Sequence, residues 1–307
     1  MSNLRVLPID TEAEWLTARR TGIGGSDAAA VLGLSRYRTP LQVYYEKIGE
    51  APAQIENTAM KMGKLLEPVV LQLYADESGR EVRRIPGLIQ STDYPFMVAS
   101  LDGYTQDSRV VEAKTSGHGA DWGDDGTDEI PTEYILQVQH YMAMTGFEVA
   151  DVAVLISGRD FRMYEVPADP ELHDMMRQRF AEFWARVERQ EPPEPTCQAD
   201  ILRYCKAQEG HVIATSEALE ALSMLRKVRE DIQALESRKD ELQSAIMACL
   251  AMGGGDTLTD CQGKALVTWK TTKPRTTFDT KTFQAEHPDL YAKYLREGEP
   301  GRRFLVK

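Results

Sequence analysis

Up to about residue 190, apolar positions switch between a helical spacing of three to four and a strand period of two, so helices and strands are expected to alternate. Trp15 to Arg20 reads as a helix and Gly22 to Asp27 as a tight loop. Ala28 to Leu32 begins another helix, with Ser26 or Asp27 as its cap. Met60, Met62, Leu65, Leu66, Val69, Val70 and Leu73 recur at helical spacing, but Pro68 interrupts that helix or opens a new turn. Glu67 is thereby held at a break, since the residue before a proline disfavours helical geometry. Phe96 to Leu101 is strand-like, Val110, Val111 and Ala113 suit a second strand, and Gly103 with the polar run Thr105 to Arg109 turns the chain between them. Ser116 to Ile130 is a glycine-rich acidic loop around Trp122. After it come a helix (Thr132 to Met144), a strand (Val149 to Ser157), a hairpin through Gly158 to Phe161 returning along Arg162 to Val166, and an amphipathic helix from about Pro170 to Arg189.

The run Glu191-Pro-Pro-Glu-Pro195 is a linker, which divides the chain into an α/β domain, 1–195, and an extension, 196–307. In the extension Ser216 to Leu250 carries a heptad-like series, Ala218, Ala221, Leu225, Val228, Ile232, Leu235, Lys239, Leu242, Ile246 and Cys249, with Lys239 its polar member. A helix of that length reaches about 50 Å at about 1.5 Å per residue. That is too long to bury one stripe on a compact domain, so it should pack on a second helix or another subunit. Gly253 to Gly255 ends it, and Leu258 to Lys270 is a hairpin turning at Gln262-Gly263.

Composition narrows the class. With 42% hydrophobic and 27% charged residues among 307, the chain is that of an ordinary soluble globular protein. No apolar run has transmembrane length and the amino terminus lacks a signal-peptide core, so a cytoplasmic protein without a membrane partner is expected. Cys197, Cys205, Cys249 and Cys261 have no metal-site spacing and read as free thiols, with no structural metal. The net charge of −12 is unevenly spread: ten Lys or Arg against five acids give Cys261 to Lys307 a charge of +5, leaving −17 for the rest. An acidic body with a basic tail fits a protein that holds a polyanion at one defined surface; a solvated terminus is the bland alternative.

The candidate chemistry lies in Ser100-Leu-Asp-Gly103 and Val111-Glu-Ala-Lys-Thr115. A period of two puts Glu112 and Lys114 on one strand face, and the turn returns Asp102 beside Glu112. Carboxylates so close disfavour joint ionisation unless a divalent cation sits between them. Hard oxygen ligands with room for water and phosphate oxygens describe Mg²⁺ better than zinc, with Mn²⁺ as a substitute. Lys114 would hold the attacking water or meet charge developing on a phosphorane. Its bland counterpart is a Glu-x-Lys pair on a solvated strand face. His118 and His140 lack partners at ligand spacing, and His140 reads as a helix-surface group.

Trp15-x3-Arg19-x6-Ser26, Gly63-x3-Glu67, Ser100-x-Asp102-Gly103, Glu112-x-Lys114 and Gln137-Val-Gln139-His-Tyr141 occur in that order. With them the chain, from about Trp15 to Arg189, resembles the lambda exonuclease/YqaJ family of viral recombination nucleases, within the PD-(D/E)xK superfamily. The resemblance implies a restriction-endonuclease-like fold, a central mixed sheet flanked by helices, here followed by the long-helix and hairpin extension. It implies that Asp102 and Glu112 bind metal with support from Glu67 and the Ala113 carbonyl, and that Lys114 is the catalytic lysine. Of the two glutamines, roughly 200° apart around a helix, Gln139 is favoured for the scissile phosphate, with Gln137 and Tyr141 as supporting or DNA contacts. Arg19, Ser26 and Ser100 match a 5′-phosphate pocket, and an Arg fork beside a Gly-Gly-Ser helix start suits an anion independently. Asp27 beside them is expected to cap its helix. The family also implies double-stranded DNA ends as substrate, a single-strand annealing protein as partner, and a possible homotrimer.

The function expected is a Mg²⁺-dependent 5′→3′ double-stranded DNA exonuclease that leaves 3′ overhangs for recombination by strand annealing. An endonuclease or repair nuclease with the same metal site is the first alternative, and a non-catalytic DNA-binding or assembly protein the second. Clustered carboxylates argue against the last, because they repel phosphate.

Overall fold

The computed structural model describes residues 3–9, 11–52, 56–205, 210–296 and 303–306. Arg302 and Lys307, counted in the basic tail, and the acids Glu297 and Glu299 lie outside the described residues. The chain divides into two compact units, Met1–Gln208 and Glu209–Lys307.

The first unit begins with β1 (Leu4–Leu7), α1 (Glu12–Arg19), α2 (Gly25–Val31), α3 (Pro40–Lys47) and α4 (Thr58–Ser78). Next come β2 (Val82–Arg83), β3 (Leu88–Ser91), β4 (Val98–Ala99), β5 (Gly103–Thr105) and β6 (Arg109–Ser116). The unit closes with α5 (Thr132–Thr145), β7 (Val149–Ile156), β8 (Asp160–Pro167), α6 (Pro170–Arg189) and α7 (Gln198–Tyr204). Its main sheet is mixed, in the order β2-β5-β6-β7-β8, and β6 and β7 form the parallel pair that α5 connects. A smaller sheet, β1-β3-β4, is antiparallel. This is the α/β architecture expected.

Alternation along β6 sends its two faces to different helices. Val111, with Ala153 and Leu155 of β7, packs against Val70, Leu71 and Tyr74 of α4. Val110, with Val152 and Val154, joins the larger core that includes Leu136, Val138 and Met142 of α5. Glu112 and Lys114 share the face of Val110 and so point towards α5. Helix α5 is buried round its whole circumference, from Leu136 to Met142, which makes it a core helix rather than a surface one.

Several boundaries differ from the sequence reading. Pro68 lies inside α4, which continues for ten residues beyond it to Ser78; burial of Val70, Leu71 and Tyr74 against the sheet outweighs the hydrogen bond the proline removes. The strand expected over Phe96 to Leu101 shrinks to Val98–Ala99 and pairs with β3, not with the main sheet. Helix α2 starts at Gly25 with Gly24 as its cap residue, so Ser26 and Asp27 lie in its first turn. The division falls after Gln208 rather than at 195, because α7 returns to α3: Asp200 accepts from Thr39 Oγ1 (2.9 Å) and Tyr204 stacks on Tyr45 at 4.2 Å.

The second unit holds α8 (Ser216–Met252), β9 (Thr257–Thr259), β10 (Ala265–Thr268), α9 (Thr280–Glu286) and α10 (Pro288–Tyr294). Thr215 caps α8 by accepting from Ala218 N–H at 3.3 Å, and Gly263, at φ +81°, turns the β9–β10 hairpin. Among the described residues no helix is long and apolar enough to cross a membrane. All four cysteines are exposed, and Cys197, Cys249 and Cys261 are free thiols.

Candidate active site

The β5–β6 register pairs Gly103 with Val111, so the preceding Asp102 meets the strand next to Glu112. Its Oδ2 accepts from the Ala113 N–H at 2.9 Å, filling a place left where β5 has not yet begun. Gly103 itself must be glycine there, because a Cβ would stand 2.4 Å from Val82 Cγ1. On the α5 side of β6, Lys114 Nζ donates to Glu112 Oε1 (2.5 Å) and to Gln137 Oε1 (3.1 Å). Gln137 Nε2 donates to the same Glu112 oxygen (2.6 Å) and to Tyr141 Oη (3.0 Å), one helical turn on. The ammonium of Lys114 also lies 4.7 Å from the centroid of Tyr134, and that ring stacks on Trp122 from the acidic loop.

The acids are strained electrostatically. Glu112 is 1% exposed, and its Oε2 is buried without a hydrogen-bond partner. Burial first, and the neighbouring Asp102 second, push its carboxyl up to about 8 in spite of Lys114. Burial likewise raises Asp102. Burial alone would lower Lys114, but Glu112 and Asp102 outweigh it and raise the ammonium above its ordinary value. An oxygen taken out of water with no donor is a costly arrangement unless a cation completes it. Oxygen donors from Asp102, Glu112 and the Ala113 carbonyl fit a hard divalent ion in chemistry.

Glu67 stands apart from that cluster. Its Oε1 accepts from Arg84 at 2.7 Å, and burial followed by Asp102 raises its carboxyl. Among the described residues no three His, Cys, Asp or Glu side chains already converge as an ion-holding group, and this turn of Glu67 towards Arg84 is one reason. Glu67, Arg84, Ser100, Asp102 and Trp15 line a common cleft of about 530 Å³.

Arg19 stacks on Trp15 (5.3 Å), donates to Ser26 Oγ (3.0 Å), and pairs with Asp27 (3.0 Å) and Glu46 (3.4 Å). Asp27 is more than the helix cap expected of it. Besides accepting from Gly24 N–H (3.2 Å) it is fully buried between Arg19, Arg38 (2.7 Å) and Lys47 (2.7 Å). Burial would raise its carboxyl, but Lys47, Arg19 and Arg38 together hold it well below the usual carboxylate range. Ser100 lines the cleft beside Asp102 and Trp15.

Two expectations are corrected. Gln139 does not face the acids: its Oε1 accepts from Asp169 N–H (3.0 Å) and bonds His173 Nε2 (2.7 Å), and its Nε2 donates to the Pro167 carbonyl (2.7 Å). Since α5 is buried on all sides, both of its glutamines find polar partners, and the one sharing a face with Tyr141 meets Lys114. His140 is not on a surface but fully buried, with Nε2 donating to the Val98 carbonyl at 2.8 Å and burial pushing the ring down to about 4. Arg84, Arg38, Lys47 and Tyr134 were missed. For Tyr134 there was a signal, since it lies three residues before Gln137 on the same helical face.

These features define an α/β protein with an acid–lysine–glutamine cluster between a mixed sheet and a buried helix. Residues 14–148 match the model of the YqaJ-like viral recombinase domain, a span that contains Arg19, Ser26, Glu67, Ser100, Asp102, Glu112, Lys114, Gln137 and Tyr141. The "Uncharacterized protein YqaJ" of Bacillus subtilis (strain 168) is 32% identical over 307 residues, 96% of this chain and 93% of that protein. The chain belongs to the YqaJ-like viral recombinase family. Among solved structures it is similar to an alkaline exonuclease (LHK-Exo) from Laribacter hongkongensis, with 24% identity and a TM-score of 0.48 over 58% of this chain and 94% of that one. A phage-related exonuclease from Haemophilus somnus 129PT gives 13% identity and a TM-score of 0.44 over 55% and 94%. Both are partial likenesses.

Proposed function

We propose that this chain is a Mg²⁺-dependent exonuclease that removes nucleotides from the 5′ end of double-stranded DNA and leaves a 3′ single strand for an annealing protein. The observation that carries the reading is the buried, unpartnered Glu112 Oε2 beside Asp102, with Lys114 fixed at hydrogen-bond distance from Glu112 and Gln137. Asp102, Glu112 and the Ala113 carbonyl would hold the ion, with Glu67 joining them on release from Arg84. A bound divalent cation would neutralise the two acids and supply Lewis acidity at the phosphate.

The residues of the chain do the rest. Lys114, gripped by two acceptors and seated on Tyr134, has little rotational freedom left and can orient a water in line with the scissile phosphorus. As the water oxygen bonds to phosphorus, the P–O3′ bond breaks and the 3′ oxygen takes up a proton. Each cut therefore leaves a new 5′ phosphate on the shortened strand. Arg19, with Ser26 beside it at a helix start, is suited to receive that group.

The test is digestion of end-labelled linear duplex with Mg²⁺, comparing 5′-phosphate with 5′-hydroxyl ends and with closed circles. Mononucleotide release from phosphorylated ends and intact circles are expected, and Lys114→Ala should abolish hydrolysis while DNA binding survives. Rapid cutting of closed circles would overturn the exonuclease reading.

A further inference from the structure

Helix α8 runs for 37 residues, about 55 Å at about 1.5 Å per residue, and carries its apolar stripe largely in the open. Val228 (49% exposed), Ile232 (50%), Leu235 (70%) and Leu242 (51%) follow one another along it at alternating heptad spacings of four, three and seven. A solitary amphipathic helix gains little from such a stripe, since most helical stability in proteins comes from packing that face. The charges flanking the stripe identify what covers it.

Leu225, Ile232 and Lys239 occupy one heptad position (a), and Val228, Leu235 and Leu242 the other (d). Arg229 and Glu236 then fall at e, and Asp231 and Arg238 at g. In a parallel pair Lys239 would face Lys239 of the second copy inside the seam, and Asp231 would face Glu236: both contacts join like charges. In an antiparallel pair with its two-fold axis between residues 233 and 234, Ile232 meets Leu235, Leu225 meets Leu242, and Lys239 lies across from Val228 rather than from itself. Asp231 then approaches Arg238 of the other copy, and Arg229 approaches Glu236. Ala218 falls opposite Cys249. Among the described residues Arg238 pairs with Glu241 on its own helix (2.8 Å), an exposed pair of little weight. We infer that α8 pairs with α8 of a second copy of this chain as an antiparallel two-stranded coiled coil, with Lys239 excluding the parallel arrangement.

The inference is independent of the nuclease reading and is tested on the full chain. Light scattering should give the Ile232→Asp/Leu235→Asp double variant half the mass of the parent protein. In a background with Cys197→Ser, Cys205→Ser and Cys261→Ser, adding Ala218→Cys should allow mild oxidation to produce a disulfide-linked dimer through Cys249, which the background alone does not form. Leu225→Cys with Cys249→Ser in that background should stay uncrosslinked, because the two positions 225 are about 25 Å apart along an antiparallel pair. Equal masses for parent and double variant, as expected if α8 binds an unlike protein or packs within its own chain, would overturn the proposal. So would efficient crosslinking through position 225, the signature of a parallel pair.

Discussion

Gln137 and Gln139 are two residues apart on α5, and truncating each to alanine should break different things. Gln139 makes three side-chain hydrogen bonds, to Asp169 N–H, His173 Nε2 and the Pro167 carbonyl, and is 2% exposed. Gln139→Ala strands these groups at the start of α6, at about 1–3 kcal/mol for a buried group left unsatisfied. Because the partners can relax, we expect a total near ~3 kcal/mol. In a unit of this size that lowers the melting temperature by roughly 6–12 °C, while activity per folded molecule stays near that of the parent. Gln137→Ala instead frees Lys114 on one side, while Lys114 and Glu112 still satisfy each other. It also removes the donor to Glu112 Oε1 and Tyr141 Oη, at about 1–3 kcal/mol of stability, and loss of lysine placement should lower kcat about 100-fold. Thermal unfolding by circular dichroism and single-turnover digestion of labelled duplex read the two effects separately. A stable but inactive Gln139→Ala protein beside an active Gln137→Ala protein would refute the assignment.

Three further outcomes are expected. Adding Mg²⁺ should raise the melting temperature of the parent protein, by the equivalent of about 2.7 kcal/mol at a hundredfold excess over Kd, but not that of Asp102→Asn, and Glu112→Gln should melt above the metal-free parent. His140, held near 4 by burial against 6.5 when unfolded, binds more protons in the unfolded state between those values. Its contribution is complete above pH 6.5 and falls by about 3 kcal/mol towards pH 4, so urea midpoints measured across that window should decline with acid and flatten when His140 is replaced. Asp27→Ala leaves Lys47 buried without its carboxylate and should cost about 3–5 kcal/mol; adding Lys47→Met should recover a large part of this in a double-mutant cycle.

What could be read in the sequence was what periodicity and turn residues encode locally. The alternation of β6 placed Glu112 and Lys114 on one face, and the glycine at 103 returned Asp102 beside them. The limits of α5, β7, β8 and α6 were legible for the same reason. The errors arose where tertiary burial overrides local preference. Pro68 argues for a break, but three side chains packed on the sheet hold α4 together across it. From the sequence Gln139 is expected at the scissile phosphate and His140 on the helix surface, and only the packing of α5 on every side gives them interior partners instead. The cationic shell of Asp27 joins α1, α2 and α3 with a loop residue, Arg38, and no short motif announces it.

Gly25 touches Tyr141 so closely that a methyl group there would stand 2.4 Å from the phenol ring. The same ring orients Gln137 through its hydroxyl, while the next residue after Gly25 is the partner of Arg19. If the proposed roles hold, the separation between the groups that would hold the end and those that would cut depends on one hydrogen-sized gap in a side-chain contact. On the proposed reading, the bite length of the enzyme is a machined dimension, and position 25 is where evolution or an engineer would reset the gauge.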